Sequence, residues 1–206
     1  MKSLFIAFVL LSGCVANDNK EVVLKKQSLN INDTVKVQGV ASNNRSLEIS
    51  NEPMDKLKIL CGKVCVNLPA DFELMSREVL ETKYPSGNRP TIVYTNKEGS
   101  INFAFNHTKN RILIEQLPEA LQAFVKQFNS LYPQIKWLKK EITTINSNKF
   151  IVLEFISPAI DTSIYNLMYI TSLDEKVLMC GFNCIETQIT EWELKAKETL
   201  NSIEIK

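Results

Sequence analysis

The run Phe150-Ile151-Val152-Leu153-Glu154-Phe155-Ile156 is apolar at odd and even positions alike. Successive side chains of a strand point to opposite faces, so a run of this kind needs cover on both sides. It predicts a central strand of a sheet that carries further elements above and below. The surrounding sequence supplies neighbours for it: residues 138–145, 164–171 and 176–184 have strand composition. Asn146-Ser147-Asn148 and Ser172-Leu173-Asp174-Glu175 mark tight turns among them. Short turns between consecutive strands make the sheet antiparallel.

Upstream, Val64-Cys65-Val66-Asn67-Leu68 alternates as a strand, and Pro69-Ala70-Asp71 turns the chain into Phe72-Glu73-Leu74. A polar loop, Tyr84-Pro85-Ser86-Gly87-Asn88-Arg89-Pro90, leads to a strand at Thr91-Ile92-Val93-Tyr94. Asn96-Lys97-Glu98-Gly99 reads as a hairpin turn, because Asn and Gly accept positive φ. Ile101, Phe103 and Phe105 then share one face of the returning strand, with Asn102 and Asn106 on the other. Leu117, Leu121, Phe124, Phe128 and Leu131 recur at helical spacing, with Pro118 at the start and Pro133 beyond the end. A last helix carries Ile189, Trp192, Ala196, Leu200 and Ile203, opening near Thr187 or Thr190, where Glu193 would complete a capping box. The class that results is α+β: an antiparallel meander with amphipathic helices packed on it.

The N-terminus carries an address. Lys2 precedes a short apolar run that closes on Leu11-Ser12-Gly13-Cys14. The run is too short for a permanent span, which needs about 20 apolar residues, and it has the layout of an export signal. Leu-Ser-Gly-Cys resembles the lipobox of bacterial lipoproteins, in which the cysteine is acylated and becomes the new N-terminus. The resemblance implies a signal peptide over residues 1–13 and membrane attachment through lipid (palmitate-type acyl chains) on Cys14. Val15 stands where an aspartate would favour the inner membrane, so the expected location is the periplasmic side of the outer membrane.

Beyond Cys14 the chain is rich in Asn, Ser, Lys and Asp, as in Asn17-Asp18-Asn19-Lys20 and Ala41-Ser42-Asn43-Asn44-Arg45-Ser46. Such a stretch has little apolar surface to offset its ordering entropy. Residues 14–57 therefore read as a flexible tether, able to hold a domain at 58–206 about 35 Å from its anchor. Lys2 is the only charge in the signal, so the 24 basic residues fall to 23 against 23 acidic ones. That balance offers no basic face for nucleic acid.

From about residue 60 onward the chain resembles the PsbP/DcrB-like group. The resemblance rests on Val66-Asn67-Leu68-Pro69-Ala70-Asp71-Phe72, the polar loop and hairpin, the single amphipathic helix, the meander, and the closing Leu200-Asn201-Ser202-Ile203-Glu204-Ile205. It implies an α/β/α sandwich around an antiparallel sheet, and a protein that is largely non-enzymatic.

Four cysteines remain: Cys61, Cys65, Cys180 and Cys184. An even count in an exported chain points to disulfides. Residues four apart in a strand lie about 13 Å apart, too far for a bond that needs Cα atoms at about 4.4–6.8 Å. Equal spacing on neighbouring antiparallel strands would pair Cys61 with Cys184 and Cys65 with Cys180, which is the expectation here; turns at Gly62 and Gly181 would permit local bonds instead. Structural zinc favours tighter Cys-x-x-Cys pairs, so neither a metal nor another cofactor is expected. His107, the sole histidine, reads as a solvated turn residue, and no nucleophile elbow accompanies it. Asp55, Asp71, Asp161 and Asp174 are scattered without calcium-loop spacing. Lys136, Lys139 and Lys140 flank Trp137, a basic-aromatic cluster suited to lipid or a partner but ordinary for a guarded sheet edge.

The chain thus reads as a non-catalytic, membrane-tethered periplasmic lipoprotein that binds another envelope or imported protein. Immunity against a secreted toxin fits the same layout, and a periplasmic hydrolase assembled only in the fold is the competing class.

Overall fold

The computed structural model describes residues 54–84, 89–159 and 161–206. The strands are β1 (Met54–Ile59), β2 (Val64–Pro69), β3 (Glu73–Leu74), β4 (Ile92–Thr95), β5 (Asn102–Arg111), β6 (Lys136–Ile145), β7 (Asn148–Pro158), β8 (Ser163–Leu173), β9 (Lys176–Ile185) and β10 (Glu204–Ile205). Among the described residues, three α-helices accompany them: α1 (Arg77–Lys83), α2 (Leu117–Leu131) and α3 (Ile189–Asn201). Seven strands form one antiparallel sheet in the order β3-β4-β5-β9-β8-β7-β6, and a separate sheet has the order β1-β2-β10.

The pleat divides the core in two. On one face Phe103, Phe105, Phe150, Val152, Tyr165, Leu167, Phe182, Cys180 and Cys184 meet α3 and the small sheet, through Trp192, Ala196, Leu200, Val64, Val66 and Leu68. On the other face Val93, Ala104, Ile151, Leu153, Phe155, Met168 and Met179 meet α1 and α2, through Tyr84, Leu117, Phe128 and the partly buried Leu80, Leu121 and Phe124. The α+β sandwich expected from the sequence is the observed architecture.

The tight turns obey local chemistry. Asn146-Ser147 and Asp174-Glu175 all have positive φ, the geometry a two-residue hairpin needs to match strand twist. The β1–β2 turn puts Leu60, Cys61 and Gly62 in succession at φ 51°, 57° and 80°, and only Gly62 adopts that region without strain.

Several expectations need correction. The doubly apolar strand β7 is covered on both faces but lies one strand from the sheet edge; burial of both faces demands cover, not centrality. The sequence suggested one sheet, whereas β1, β2 and β10 form their own. The first strand opens at Met54, inside the stretch assigned to the tether. Helix α1 was not foreseen; Ser76 caps it by accepting from the Val79 N–H at 3.3 Å. Helix α3 starts at Ile189 after a 3₁₀ turn, with Gln188 at its N-cap and no side-chain cap, so the box through Glu193 does not form. Glu193 instead reaches Lys197 one turn on.

Candidate functional site

Cys14, the signal and residues 15–53 lie outside the described residues, so the anchor stays an expectation from the sequence. The other four cysteines are placed. All are free thiols, with Cys61 exposed and Cys65, Cys180 and Cys184 buried. Cys65 lies on β2, opposite Lys58 of β1 and Glu204 of β10, on the face away from the core that Val64 and Val66 enter. Cys180 and Cys184 lie on β9 between β5 and β8, facing α3. The strands that would have carried the cross-pairing belong to different sheets, and this geometry does not support Cys61–Cys184 or Cys65–Cys180. Burial pushes the Cys180 thiol far up and the Cys184 thiol up to about 12. A thiol reagent applied to the Cys14→Ser chain should therefore modify Cys61 quickly and the other three only on unfolding. Four protected sulfurs in native buffer would contradict this placement.

The same groups set an alkaline limit. Burial also raises Tyr165 far above the ordinary 10.0, a rise added to by the Glu154 charge, and raises Tyr132 and Tyr169 to about 12. Each keeps its proton in the folded chain at a pH where the unfolded chain has lost it. Stability is then fully present below about pH 9, the ordinary thiol value, and falls as pH rises toward the folded values. Urea midpoints taken between about pH 7 and about pH 10.5 should drop steadily over the upper part of that range. A flat profile would contradict it.

His107 is not in a turn. Strand β5 runs on to Arg111, and the imidazole Nε2 lies 3.0 Å from the Leu173 carbonyl oxygen, which ties β5 to the β8–β9 turn. Nearby, Lys63 pairs with Asp174 at 2.5 Å, joining the small sheet to that turn.

The built site is a cleft of about 390 Å³ beside α3, floored by β6, β7 and β8. It forms because α3 covers β8, β9 and β2 and leaves the β6–β7 side of the same face open. Strand register brings its floor together: Lys139 opposes Glu154, Glu141 opposes Val152, and Val152 opposes Tyr169. Glu154 interrupts the apolar run of β7 and is only 4% exposed. Its Oε1 accepts from the Tyr165 hydroxyl at 2.9 Å and pairs with the Lys197 ammonium at 3.0 Å; Lys197 also meets Glu193 at 2.6 Å. Burial alone would lower the Lys197 pKa, but hydrogen bonds to Glu193 and Glu154 and their charges carry it above its ordinary value. Tyr169 donates to Asn201 Oδ1 at 2.8 Å, and Lys139 lies 3.4 Å from Glu141. Asn146 Nδ2 donates to the carbonyls of Asn201 at 3.0 Å and Ile203 at 2.9 Å, closing the end of the cleft. The sequence reading passed over this constellation, although a lone acid within an apolar run was its signal.

At the outer margin of the cleft, β6 is the edge of the seven-stranded sheet among the described residues. Trp137 packs at a tilt of 58° against Phe155, ring centroids 5.1 Å apart, and donates from Nε1 to Asn129 Oδ1 at 2.9 Å, while Lys140 lies 5.3 Å above its ring. The register slips between Trp137 and Lys139, and Leu138 at that bulge is 54% exposed.

No family model matches the sequence, and no curated protein matches it. Solved structures do resemble the fold. The cyanobacterial PsbP (CyanoP) of Synechocystis sp. PCC 6803 superposes with a TM-score of 0.57 at 11% identity, covering 82% of this chain and 98% of that one. The Ran-binding protein Mog1p of Saccharomyces cerevisiae superposes with a TM-score of 0.51, also at 11% identity, covering 75% of this chain and 96% of that one. The chain therefore has the PsbP/Mog1-like α+β fold. At that identity the likeness is one of fold.

Proposed function

We propose that the protein is a lipid-anchored periplasmic lipoprotein whose folded part, held on a polar tether, binds another envelope or imported protein without catalysing a reaction. The observation that carries the non-catalytic part is the pairing within the cleft. Glu154 is committed to Tyr165 and Lys197, Lys197 also to Glu193, Lys139 to Glu141 and Tyr169 to Asn201. Groups locked to one another in this way shape a recognition surface, whereas a general base needs a free lone pair aimed at substrate. The anchor is supported by Leu11-Ser12-Gly13-Cys14 behind an apolar run, and an outer-membrane location by Val15. That the PsbP/Mog1-like fold serves a Ran-binding protein in yeast agrees with a binding role.

Metabolic labelling with a tagged fatty acid tests the anchor. The wild-type chain should carry label and fractionate with the outer membrane, and Cys14→Ser should lose the label entirely. Equal labelling of the two would contradict the assignment.

A further inference from the structure

We propose that β6 takes up an extended acidic segment of the partner protein as an added antiparallel strand. This rests on the reading that the domain binds a protein, and it names the surface and the chemistry of what docks. Strand β6 is ten residues long and pairs only with β7, so one full edge of backbone donors and acceptors is open among the described residues. An open edge is a template for a further strand, with backbone bonds giving affinity and side chains giving selectivity.

The side chains along β6 are unevenly charged. Residues 136–140 carry Lys136, Lys139 and Lys140 and no acid; residues 141–145 carry Glu141, already beside Lys139, and then Ile142, Thr143, Thr144 and Ile145. Edge lysines ordinarily guard a sheet against unwanted pairing. Here they guard selectively. A strand that carries Lys or Arg opposite residues 136–140 would set like charges against Lys136, Lys139 and Lys140 and be repelled. An acidic strand removes the repulsion, which makes the edge specific through what it rejects. Every pair in the large sheet is antiparallel, so the segment that fits has β-branched residues in its N-terminal half, against residues 141–145, and acids in its C-terminal half, against residues 136–140. Leu138 and Trp137 supply apolar contact at the acidic end.

The test titrates the full chain, in neutral detergent, with a labelled peptide as long as β6 and of that pattern, followed by anisotropy and by amide exchange. Binding should saturate, weaken with salt, and protect amides of β6. The double variant Lys139→Glu/Lys140→Glu, both residues exposed and its circular dichroism checked against wild type, should bind about tenfold or more weakly. The peptide with its halves exchanged should also bind more weakly. Equal binding to wild type and variant, or protection elsewhere, overturns the proposal. So does protection of β6 by micelles doped with anionic phospholipid when the peptide gives none, since the edge would then meet membrane. If the variant still cross-links to the wild-type partner in cells with undiminished yield, the docking mode is wrong and the binding role stands; if neither chain cross-links, the binding role fails and the docking mode with it.

Discussion

Replacing Lys197 by methionine should cost about 3 kcal/mol of folding stability, because it leaves Glu154 buried with only the Tyr165 hydroxyl to hold its charge. Removing one partner of a buried ion pair typically costs about 3–5 kcal/mol; Lys197 is 30% exposed, which places the effect at the lower end. The double variant Glu154→Leu/Lys197→Met should recover part of the loss, since neither charge then remains to be solvated and both sites continue the apolar face of Val152 and Leu167, while the buried Tyr165 hydroxyl is left without its acceptor. Urea unfolding of wild type, single and double variants measures this directly. A single variant as stable as wild type would mean that water reaches Glu154 freely. A double variant as weak as the single one would mean that the pair itself, rather than the orphaned carboxylate, carries the energy.

Trp192→Ala should have a comparable or larger effect, about 3–5 kcal/mol, and should lower the melting temperature by about 10 °C. Trp192 projects from α3 and joins three parts of the fold. Its ring lies edge-on to Phe72 at 5.5 Å and stacked on Phe182 at 6.2 Å, and Phe72 in turn meets Phe103 at 5.3 Å. Truncation opens a cavity between α3, the β2–β3 turn and the large sheet, and the rigid strands beneath cannot collapse into it. Differential scanning calorimetry would show it; an unchanged melting temperature would mean that α3 is not what closes that core.

Much of this layout was legible because it is dictated locally. The period of Leu117, Leu121, Phe124 and Phe128 specifies a helix face, and Asn146-Ser147 and Asp174-Glu175 specify reversals through the backbone they tolerate. What escaped notice depends on long-range partners. That β2 leaves the main sheet is decided by its pairing with β10, more than a hundred residues away, and nothing within Val64–Pro69 reports it. The expected cysteine pairing rests on equal spacing, which says nothing of which sheet each strand joins. His107 looks like a turn residue because Asn106, Lys109 and Asn110 around it are poor strand formers, yet pairing with β9 and the Leu173 carbonyl holds it extended. The cleft could have been glimpsed in Glu154, but its partners Lys197 and Asn201 come from a helix whose docking no periodicity locates.

A photo-reactive residue at position 138, in the full chain in intact cells, tests the proposal that a tethered, protein-binding domain works at the membrane surface. Leu138 is exposed on the β6 bulge, so its replacement leaves the core intact. Irradiation should give one discrete cross-linked protein in the outer-membrane fraction, and the Cys14→Ser chain should lose both that product and the membrane association. A Cys14→Ser chain that fractionates and cross-links as the wild type does would contradict the account.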